Sequence, residues 1–498
     1  MSIPFGGIIA VIAYTLIILS ICIRTARNTA LNDTGKKFFL GTGTKTFVLL
    51  FTTVASTFST WVIMGAPAST YLHGHTWIAL VTLYQMSMAF VCGYLGPRFW
   101  VLRHKHDFVT QADLVVHYYR TNVFRYVMGA CYIISLSTAT IAQFKAMGTA
   151  ISVMTDGAIP FWAASLYVGM IVGIYVYFGG FHGEALVDTF QGLLFTVVLW
   201  GGLIVVLFKS GGLSGMFDKI ANVNDQLLLY QGTGSYWSPQ MAISFCLVSI
   251  MGGVVHPGFW QRYYAAKDTR TLVNMSIWFP IMVSICVTLS GGLVGLAANL
   301  YKLEVTANDA IFQTLLSSIS NPVWSIIVTI GVLAAGMSTV AGNSNGASMI
   351  ISYDFVRHLK KDAPDSQLKS VGKKCIIILI IFAYICSLNT PSSVTMLIQL
   401  MAASNLVALY PVIGIFVWKR ATIPGCLSGM IGGFATVCVA NFIFVNPLGI
   451  VAGGWGFAVG MFLFIVVSLL TKPIPDEWRS EFTRPLQKTK VLAQTNVS

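Results

Sequence analysis

The chain has 498 residues, of which 56% are hydrophobic and only 9% carry a charge. Soluble domains carry about 25% charged residues, and the mean hydropathy of +0.76 leaves too little polar surface for a soluble chain of this size. Composition therefore excludes a soluble enzyme, a disordered regulator and a secreted disulfide scaffold, and it predicts an integral membrane protein. The remaining question is the net charge of +13, which in a soluble protein would indicate a nucleic-acid or other anionic partner.

Thirteen apolar runs along the chain are long enough to cross a bilayer, which takes about 20 residues. The first run follows no basic segment and ends in no small-residue cleavage site, so we interpret it as a retained helix and not as a signal peptide. The predicted fold class is thus an all-α polytopic membrane protein. The predicted spans are residues 5–23, 46–71, 77–102, 123–153, 160–178, 187–208, 239–260, 272–299, 319–352, 374–389, 393–418, 424–445 and 449–471.

The basic residues collect in the loops on one side of these spans. Of the 30 Lys and Arg, 26 fall in alternate loops, Arg262 among them, whereas Lys209, Lys219 and Lys302 fall on the other side and Lys145 lies inside a span. The positive-inside rule then predicts an extracellular N-terminus and a cytoplasmic C-terminus in the plasma membrane, the inner membrane if the source is bacterial. Topology accounts for the charge, so we expect lipid and no nucleic acid as a partner. We also expect no acid within any span and hence no enzyme.

Two long spans are interrupted by polar and helix-weakening residues. The second span has six hydroxyls over residues 52–60, followed by Gly65 and Pro67. The seventh has Ser249, Gly252 and Gly253, followed by the sequence His-Pro-Gly that contains Pro257. Non-helical backbone at membrane depth is tolerated where it lines a cavity, and a pair of interrupted spans five helices apart is typical of inverted-repeat transporters. The alternative is that the hydroxyls bond to carbonyls within unbroken helices.

The ninth span carries a third polar position, Ser338 and Thr339, within the small-residue run 334–345. Hydroxyls and freed backbone carbonyls are hard oxygen ligands that suit a small cation. The alternative is that these residues only allow a neighbouring helix to pack closely.

Taken together, these motifs resemble the sodium:solute symporter family, which includes proline, pantothenate, sialic acid and sugar symporters. The resemblance covers nearly the whole chain. It rests on residues 56–61, on Gly179-Gly180 followed by Asp188-x-x-Gln191, on Ala334 to Thr339 with Asp354 after them, and on residues 416–422.

This resemblance implies the leucine-transporter architecture, with one helix, two inverted five-helix repeats and two further helices. The corresponding segments are 1–27, 45–208 (spans two to six), 236–418 (spans seven to eleven), 421–472 and a cytoplasmic tail at 473–498. It also implies a sodium site between the second and ninth spans, with Asp188, Gly252, Gly253 and Pro257 in coupling or gating. The implied sodium ligands are the carbonyls of Ala55, Phe58 and Ala335 and the hydroxyls of Ser338 and Thr339.

Sodium is the coupling ion in this scheme, and we expect no other metal and no cofactor. Relatives with a second sodium have hydroxyls where this chain has Ala341 and Gly342, so we expect one sodium. The resemblance places the solute against Ser59, Thr60, Trp61, Thr140, Gln143 and Ser249. Thr57 stands where the proline transporters carry an acid, which weakens the analogy to their substrate.

Lys145 is the one cation predicted inside a span, at a cost of about 2.5–3.5 kcal/mol on insertion scales. One interpretation is that its ammonium binds the carboxylate of the solute. Others are that it titrates or acts as a fixed cation near the ion site, or that it reaches the interface or caps carbonyls of an unwound helix.

The sequence therefore predicts a sodium-coupled symporter that imports a small polar solute, preferably a monocarboxylate, pantothenate or a similar organic acid, by alternating access. The alternatives are a symporter of a neutral amino acid or sugar and a transporter-like sensor without net flux. The solute and the oligomeric state stay open.

Overall fold

The computed structural model describes residues 3–29, 35–301, 303, 308–390, 392, 394–480, 482–483 and 486, and these form an all-helical protein. Within this part of the chain, the one bridge between extended residues joins Thr44 and Ala266. Among these described residues, twelve helices are long and apolar enough to cross a membrane. They are α1 (Pro4–Thr25), α2 (Thr46–His73), α3 (Thr76–His106), α4 (Val123–Met154), α5 (Phe161–Ser210), α6 (Pro239–Ala265), α7 (Thr269–Ala298), α8 (Val323–Leu359), α9 (Asp365–Leu388), α10 (Val394–Phe416), α11 (Ile423–Phe442) and α12 (Ala452–Leu470).

Burial separates a central group of helices from a peripheral one. The helices α2, α4 and α8 are mostly buried, and α8 packs against α4, α5 and α2. By contrast, most residues of α1, α9 and α12 are not buried. The exposed surface carries large apolar side chains such as Phe208 of α5 and Leu470 of α12. Because an apolar rim is stable only in lipid, the exposed surface agrees with a multi-pass membrane protein.

The helical segment α5 differs from the prediction in how its two parts are joined. The spans predicted at 160–178 and 187–208 both fall within these 50 residues, in which two helices meet at a kink. The loop expected between them is absent, and the single non-helical residue inside α5 is Gly180, with φ 55° and ψ −162°. The sequence analysis expected a loop between residues 178 and 187, whereas the structure has helix on both sides of Gly180.

Both predicted interruptions are present. In α2, Ser59 has φ 50° and ψ 178°, and the next turn, Trp61–Gly65, is a π-helix. In α6, the first helical part ends at Val254 and the second begins at Pro257. His256 between them is extended, and its side chain accepts a hydrogen bond from the Gly258 amide. The hydroxyl-rich and Gly-Pro-rich sequences therefore break these helices near their middles.

The ends of α2 and α6 that lie among the basic loops are tied together through backbone. The Thr44 amide donates to the Ala265 carbonyl (3.0 Å), and the Lys267 amide donates to the Thr44 carbonyl (3.0 Å). A short helix, Gly35–Leu40, packs at the same end, where the Phe39 carbonyl accepts from Gln261 of α6 (2.7 Å) and Asn345 of α8 (3.1 Å).

The break at Gly180 requires glycine. A Cβ at this position would lie 2.7 Å from the Phe38 ring and 2.9 Å from the Phe38 carbonyl oxygen. We expect Gly180→Ala to destabilise the protein by about 1–3 kcal/mol, because an alanine is strained at this φ and ψ.

The matched control for that change is Gly183→Ala in the same helix. Nothing lies within 4 Å of the Cβ position of Gly183, so this change should stabilise by about 0.5–1 kcal/mol or have no effect. Melting temperatures of the purified variants in detergent make the comparison. Equal melting temperatures would contradict the assignment of Gly180 as an obligatory break.

Candidate functional site

A central cavity of about 80 Å³ lies where α2 and α6 are interrupted. The break residue Ser59 and the neighbouring Trp61 line one wall, and Gly252, Gly253 and His256 line the opposite wall. The helices α3, α4, α7, α8 and α10 supply the remaining walls. Unwound backbone at membrane depth is stable where it lines a cavity, so the presence of this cavity accounts for the two breaks.

Directly beside this cavity, α8 contacts the unwound region of α2 through two hydroxyls. The Ser338 hydroxyl lies 2.9 Å from both the Ala55 and the Ala335 carbonyl oxygens. The Thr339 hydroxyl lies 2.9 Å from the Ala335 carbonyl oxygen and 3.3 Å from that of Ser56. Two helices therefore present neutral oxygens to one another, which is the contact predicted between the second and ninth spans.

This oxygen set fits a sodium ion in its chemistry. Ala55, Ala335, Ser338 and Thr339 of the predicted ligand set lie together, all buried. The Thr339 contact goes to the Ser56 carbonyl, which was not in that set, and Phe58 lines the central cavity nearby. Neutral hydroxyl and carbonyl oxygens suit an alkali cation, whereas divalent ions prefer carboxylates.

The predicted solute residues divide into two groups. Ser59, Trp61 and Ser249 line the central cavity. Thr60 lies behind it, where its amide (2.9 Å) and hydroxyl (2.8 Å) donate to the Gln143 side-chain oxygen. This bond holds the break of α2 against α4, so Gln143 supports the wall.

Thr140 of α4 also lies behind the cavity wall. Its hydroxyl donates to the Leu136 carbonyl (2.7 Å) and accepts from the Asn343 side chain (3.4 Å). Thr57, by contrast, lines the cavity, and its hydroxyl donates back to the Thr53 carbonyl (2.6 Å).

The predicted gating residues of α6 allow close approach of neighbouring helices. A Cβ at Gly252 would lie 2.7 Å from the Ala402 carbonyl oxygen of α10, and one at Gly253 would lie 2.6 Å from the Tyr84 ring of α3. Pro257 starts the second part of α6, and its carbonyl accepts from Gln111 (2.7 Å).

Sequence reasoning missed several polar residues of the cavity wall, which share a position inside an otherwise apolar span. Such isolated amides were the available signal, because an amide in lipid would be costly. They are Gln85, Asn343, Gln399 and Asn405.

Lys145 does not line the central cavity. It lines a larger cavity of about 530 Å³, the vestibule, together with His73, Trp237 and Asp309. Its ammonium donates to the Ser392 carbonyl, which corresponds to the carbonyl-capping interpretation. Burial raises the pKa of the Asp309 carboxyl, and the nearby Lys145 ammonium opposes that rise. Gln399 borders both cavities.

The expectation that no acid lies within a span is wrong. Glu184 and Asp188 lie in α5 and are fully buried, and Arg262, expected in a loop, is buried in α6. The Arg262 guanidinium lies 3.5 Å from a Glu184 oxygen and 3.8 Å from an Asp188 oxygen. The predicted coupling residue Asp188 accepts from Thr52 (2.8 Å) and Ser56 (3.1 Å), both in α2.

Comparison with known proteins agrees with this arrangement. The pattern of the sodium:solute symporter family matches residues 38–433. The chain is 26% identical to the sodium/pantothenate symporter of Haemophilus influenzae over 488 residues, covering 96% of this chain and 98% of that protein. It is 25% identical to an osmoregulated proline transporter of Bacillus subtilis over 453 residues, covering 87% and 88%.

Two solved structures share the fold. A substrate-bound, outward-open Na⁺-coupled sialic acid symporter superposes with a TM-score of 0.78 at 17% identity, covering 95% of this chain and 99% of that one. A nucleobase-cation-symport-1 family transporter gives a TM-score of 0.55 at 11% identity, covering 88% and 92%.

The family match extends over the interrupted helices, the hydroxyl pair of α8 and the central cavity between them. The chain belongs to the sodium:solute symporter family, and it is a multi-pass membrane transporter and not an enzyme.

Proposed function

We propose that this protein imports a small polar solute together with one sodium ion by alternating access. The observation that carries the proposal is the contact between the Ser338 and Thr339 hydroxyls of α8 and the carbonyls of Ala55 and Ser56 in α2. It lies next to the central cavity, so an ion bound there would hold the break of α2 in the shape that binds solute.

The sodium site in this proposal uses the hydroxyls of Ser338 and Thr339 and the carbonyls of Ala55, Phe58 and Ala335. Sodium supplies the positive charge that the wall of the central cavity lacks, since no Lys or Arg is among the described residues that line it. One ion is proposed because Ala341 and Gly342 offer no hydroxyl one turn along α8.

The topology belongs to the same proposal. Counting α5 as two spans that meet at Gly180 gives thirteen, with an extracellular N-terminus and a cytoplasmic C-terminus. The inverted repeats are then 45–208 and 236–418, each beginning with an interrupted helix. On this topology the vestibule faces the outside and the Arg262 group lies toward the cytoplasm.

The preferred solute carries a carboxylate. Relatives named as pantothenate symporters support this class, and Lys145 supplies a cation in the vestibule through which an outside solute would enter. In this proposal Lys145 meets the carboxylate in the vestibule, and Ser59, Trp61 and Ser249 contact the solute in the central cavity.

A neutral amino acid is the second candidate. Relatives named as proline transporters support it, as does the uncharged wall of the central cavity. In that case the Lys145 ammonium serves only to cap the Ser392 carbonyl.

Removing one hydroxyl from the proposed ion site should weaken sodium binding. We expect Ser338→Ala and Thr339→Ala each to raise the Na⁺ concentration for half-maximal solute uptake by about threefold to tenfold, the loss expected for one polar contact. Uptake into proteoliposomes at graded NaCl, with choline chloride holding ionic strength constant, measures it.

Ser348→Ala is the matched control, because the Ser348 hydroxyl lies on the same helix and bonds to the Asn345 carbonyl of its own turn (2.9 Å). It should leave the Na⁺ dependence unchanged. Unchanged Na⁺ dependence in both Ser338→Ala and Thr339→Ala would rule out this ion site.

The role of Lys145 separates the two solute classes. We expect Lys145→Met to reduce binding of pantothenate or sialic acid at least about tenfold, because the carboxylate loses its cation, while Na⁺ binding persists. Binding of these two acids and of L-proline to purified protein, with and without NaCl, measures it. Lys219→Met, a lysine outside both cavities, is the control. Unchanged binding of an acidic solute would refute the carboxylate role.

A further inference from the structure

Three charged side chains form a buried group at the end of the protein near the basic loops. We call this group the ionic cluster; it comprises Glu184 and Asp188 of α5 and Arg262 of α6, with the Ser56 hydroxyl of α2 between them. All three charged side chains are at most 1% exposed. Arg262 donates to the Ser56 hydroxyl, and that hydroxyl lies 3.1 Å from the Asp188 oxygen.

Ser56 belongs to the ionic cluster and also contacts a residue of the proposed ion site. Its hydroxyl contacts Arg262 and Asp188, whereas its carbonyl oxygen lies 3.3 Å from the Thr339 hydroxyl. Its neighbour Ala55 accepts from Ser338. A rotation of this one residue would therefore move the carbonyls that face α8.

The contacts of Arg262 connect the pair of helices α2 and α6 to α5. Ser56 lies in the half of α2, and Arg262 in the half of α6, that Thr44 joins through backbone bonds to Ala265 and Lys267. Glu184, in contrast, belongs to α5, and its oxygen lies 3.5 Å from the guanidinium. Glu184 thus fixes the guanidinium from outside the pair of helices that carries Ser56.

Gly342 of α8 leaves the space that this arrangement needs. A Cβ there would lie 3.2 Å from the Ser56 hydroxyl and 3.4 Å from both the Arg262 nitrogen and the Glu184 oxygen. Gly342, which has no hydroxyl and lies one turn beyond Thr339, is therefore the residue against which the ionic cluster packs.

Two buried carboxylates share the Arg262 guanidinium, so removing Glu184 leaves the guanidinium with Asp188 alone and takes away one of the contacts that fix its position. In this cluster the nearest side chain that can respond is Ser56, which Arg262 contacts directly. The Asp188 oxygen also accepts a hydrogen bond from Thr52. Glu184 lies one turn before Asp188 in α5 and contacts the Arg262 guanidinium.

We propose that Glu184 and Arg262 are positioning residues for the sodium site, and that they act through Ser56. The guanidinium, held by Glu184, orients Ser56 so that the carbonyls of residues 55 and 56 face the hydroxyls of α8. This inference rests on the proposed sodium site and adds two residues to its support.

The test is a double-mutant cycle on the purified full-length protein, with NaCl as the probe and choline chloride as the replacement salt. The readout is the Na⁺ concentration that gives half of the maximal thermal stabilisation. We expect Glu184→Gln and Ser56→Ala each to raise that concentration by about threefold or more, and the double variant to show no more than the larger single effect, because contacts in series are not additive.

Asp113→Asn is the matched control, since Asp113 also pairs with a buried arginine, Arg125 (2.7 Å), but contacts neither Ser56 nor the ion site. It should leave the Na⁺ response unchanged. If Glu184→Gln does not fold, Arg262→Lys replaces it, because lysine keeps the charge but cannot reach two partners in a fork; the same rise is expected.

An unchanged Na⁺ response in Glu184→Gln, or effects of Glu184→Gln and Ser56→Ala that multiply in the double variant, would overturn the inference. A response of Asp113→Asn equal to that of Glu184→Gln would overturn it as well. Absence of any Na⁺ response in the unmodified protein would instead refute the proposed sodium site, so the two failures are distinguishable.

Discussion

Two hydroxyls of α8 contact the backbone carbonyls of α2 just before its break, and this contact joins two of the most buried helices of the protein. Backbone carbonyls that leave a helix at membrane depth need partners, because lipid offers none. Ser338 and Thr339 provide those partners for Ala55 and Ser56. The same oxygens suit sodium, so the polar groups that stabilise the break are also those proposed to bind the coupling ion.

The surrounding architecture keeps this polar region in place from three sides. Gln143 of α4 accepts two hydrogen bonds from Thr60 just beyond the break. On the other side of the break, the ionic cluster holds Ser56. Small residues such as Gly252 let neighbouring helices close around the central cavity. Each of these contacts crosses between helices, so side chains join the walls of the central cavity to the contact between α2 and α8.

Much of this arrangement is predictable from sequence, because the bilayer enforces long apolar runs and the breaks require hydroxyls, glycine and proline. The predicted spans and both interruptions followed from those constraints. The errors have a common physical cause. Glu184 and Arg262 were placed by local sequence, yet their burial depends on a partner 78 residues away in the chain. Likewise, Lys145 was predicted inside a span and lies in α4, but the cavity it lines depends on the helix face it occupies, which hydropathy does not determine.

We propose that one sodium ion moves with each solute molecule. Parallel fluxes of radiolabelled sodium and of a solute identified by its Na⁺-dependent binding, measured in the same proteoliposomes under an inward Na⁺ gradient, test it most directly. Coupling of one sodium ion to each solute molecule predicts solute accumulation that requires the gradient and a sodium-to-solute flux ratio of one. Equal accumulation with choline in place of sodium, or solute uptake without accompanying sodium, would contradict it.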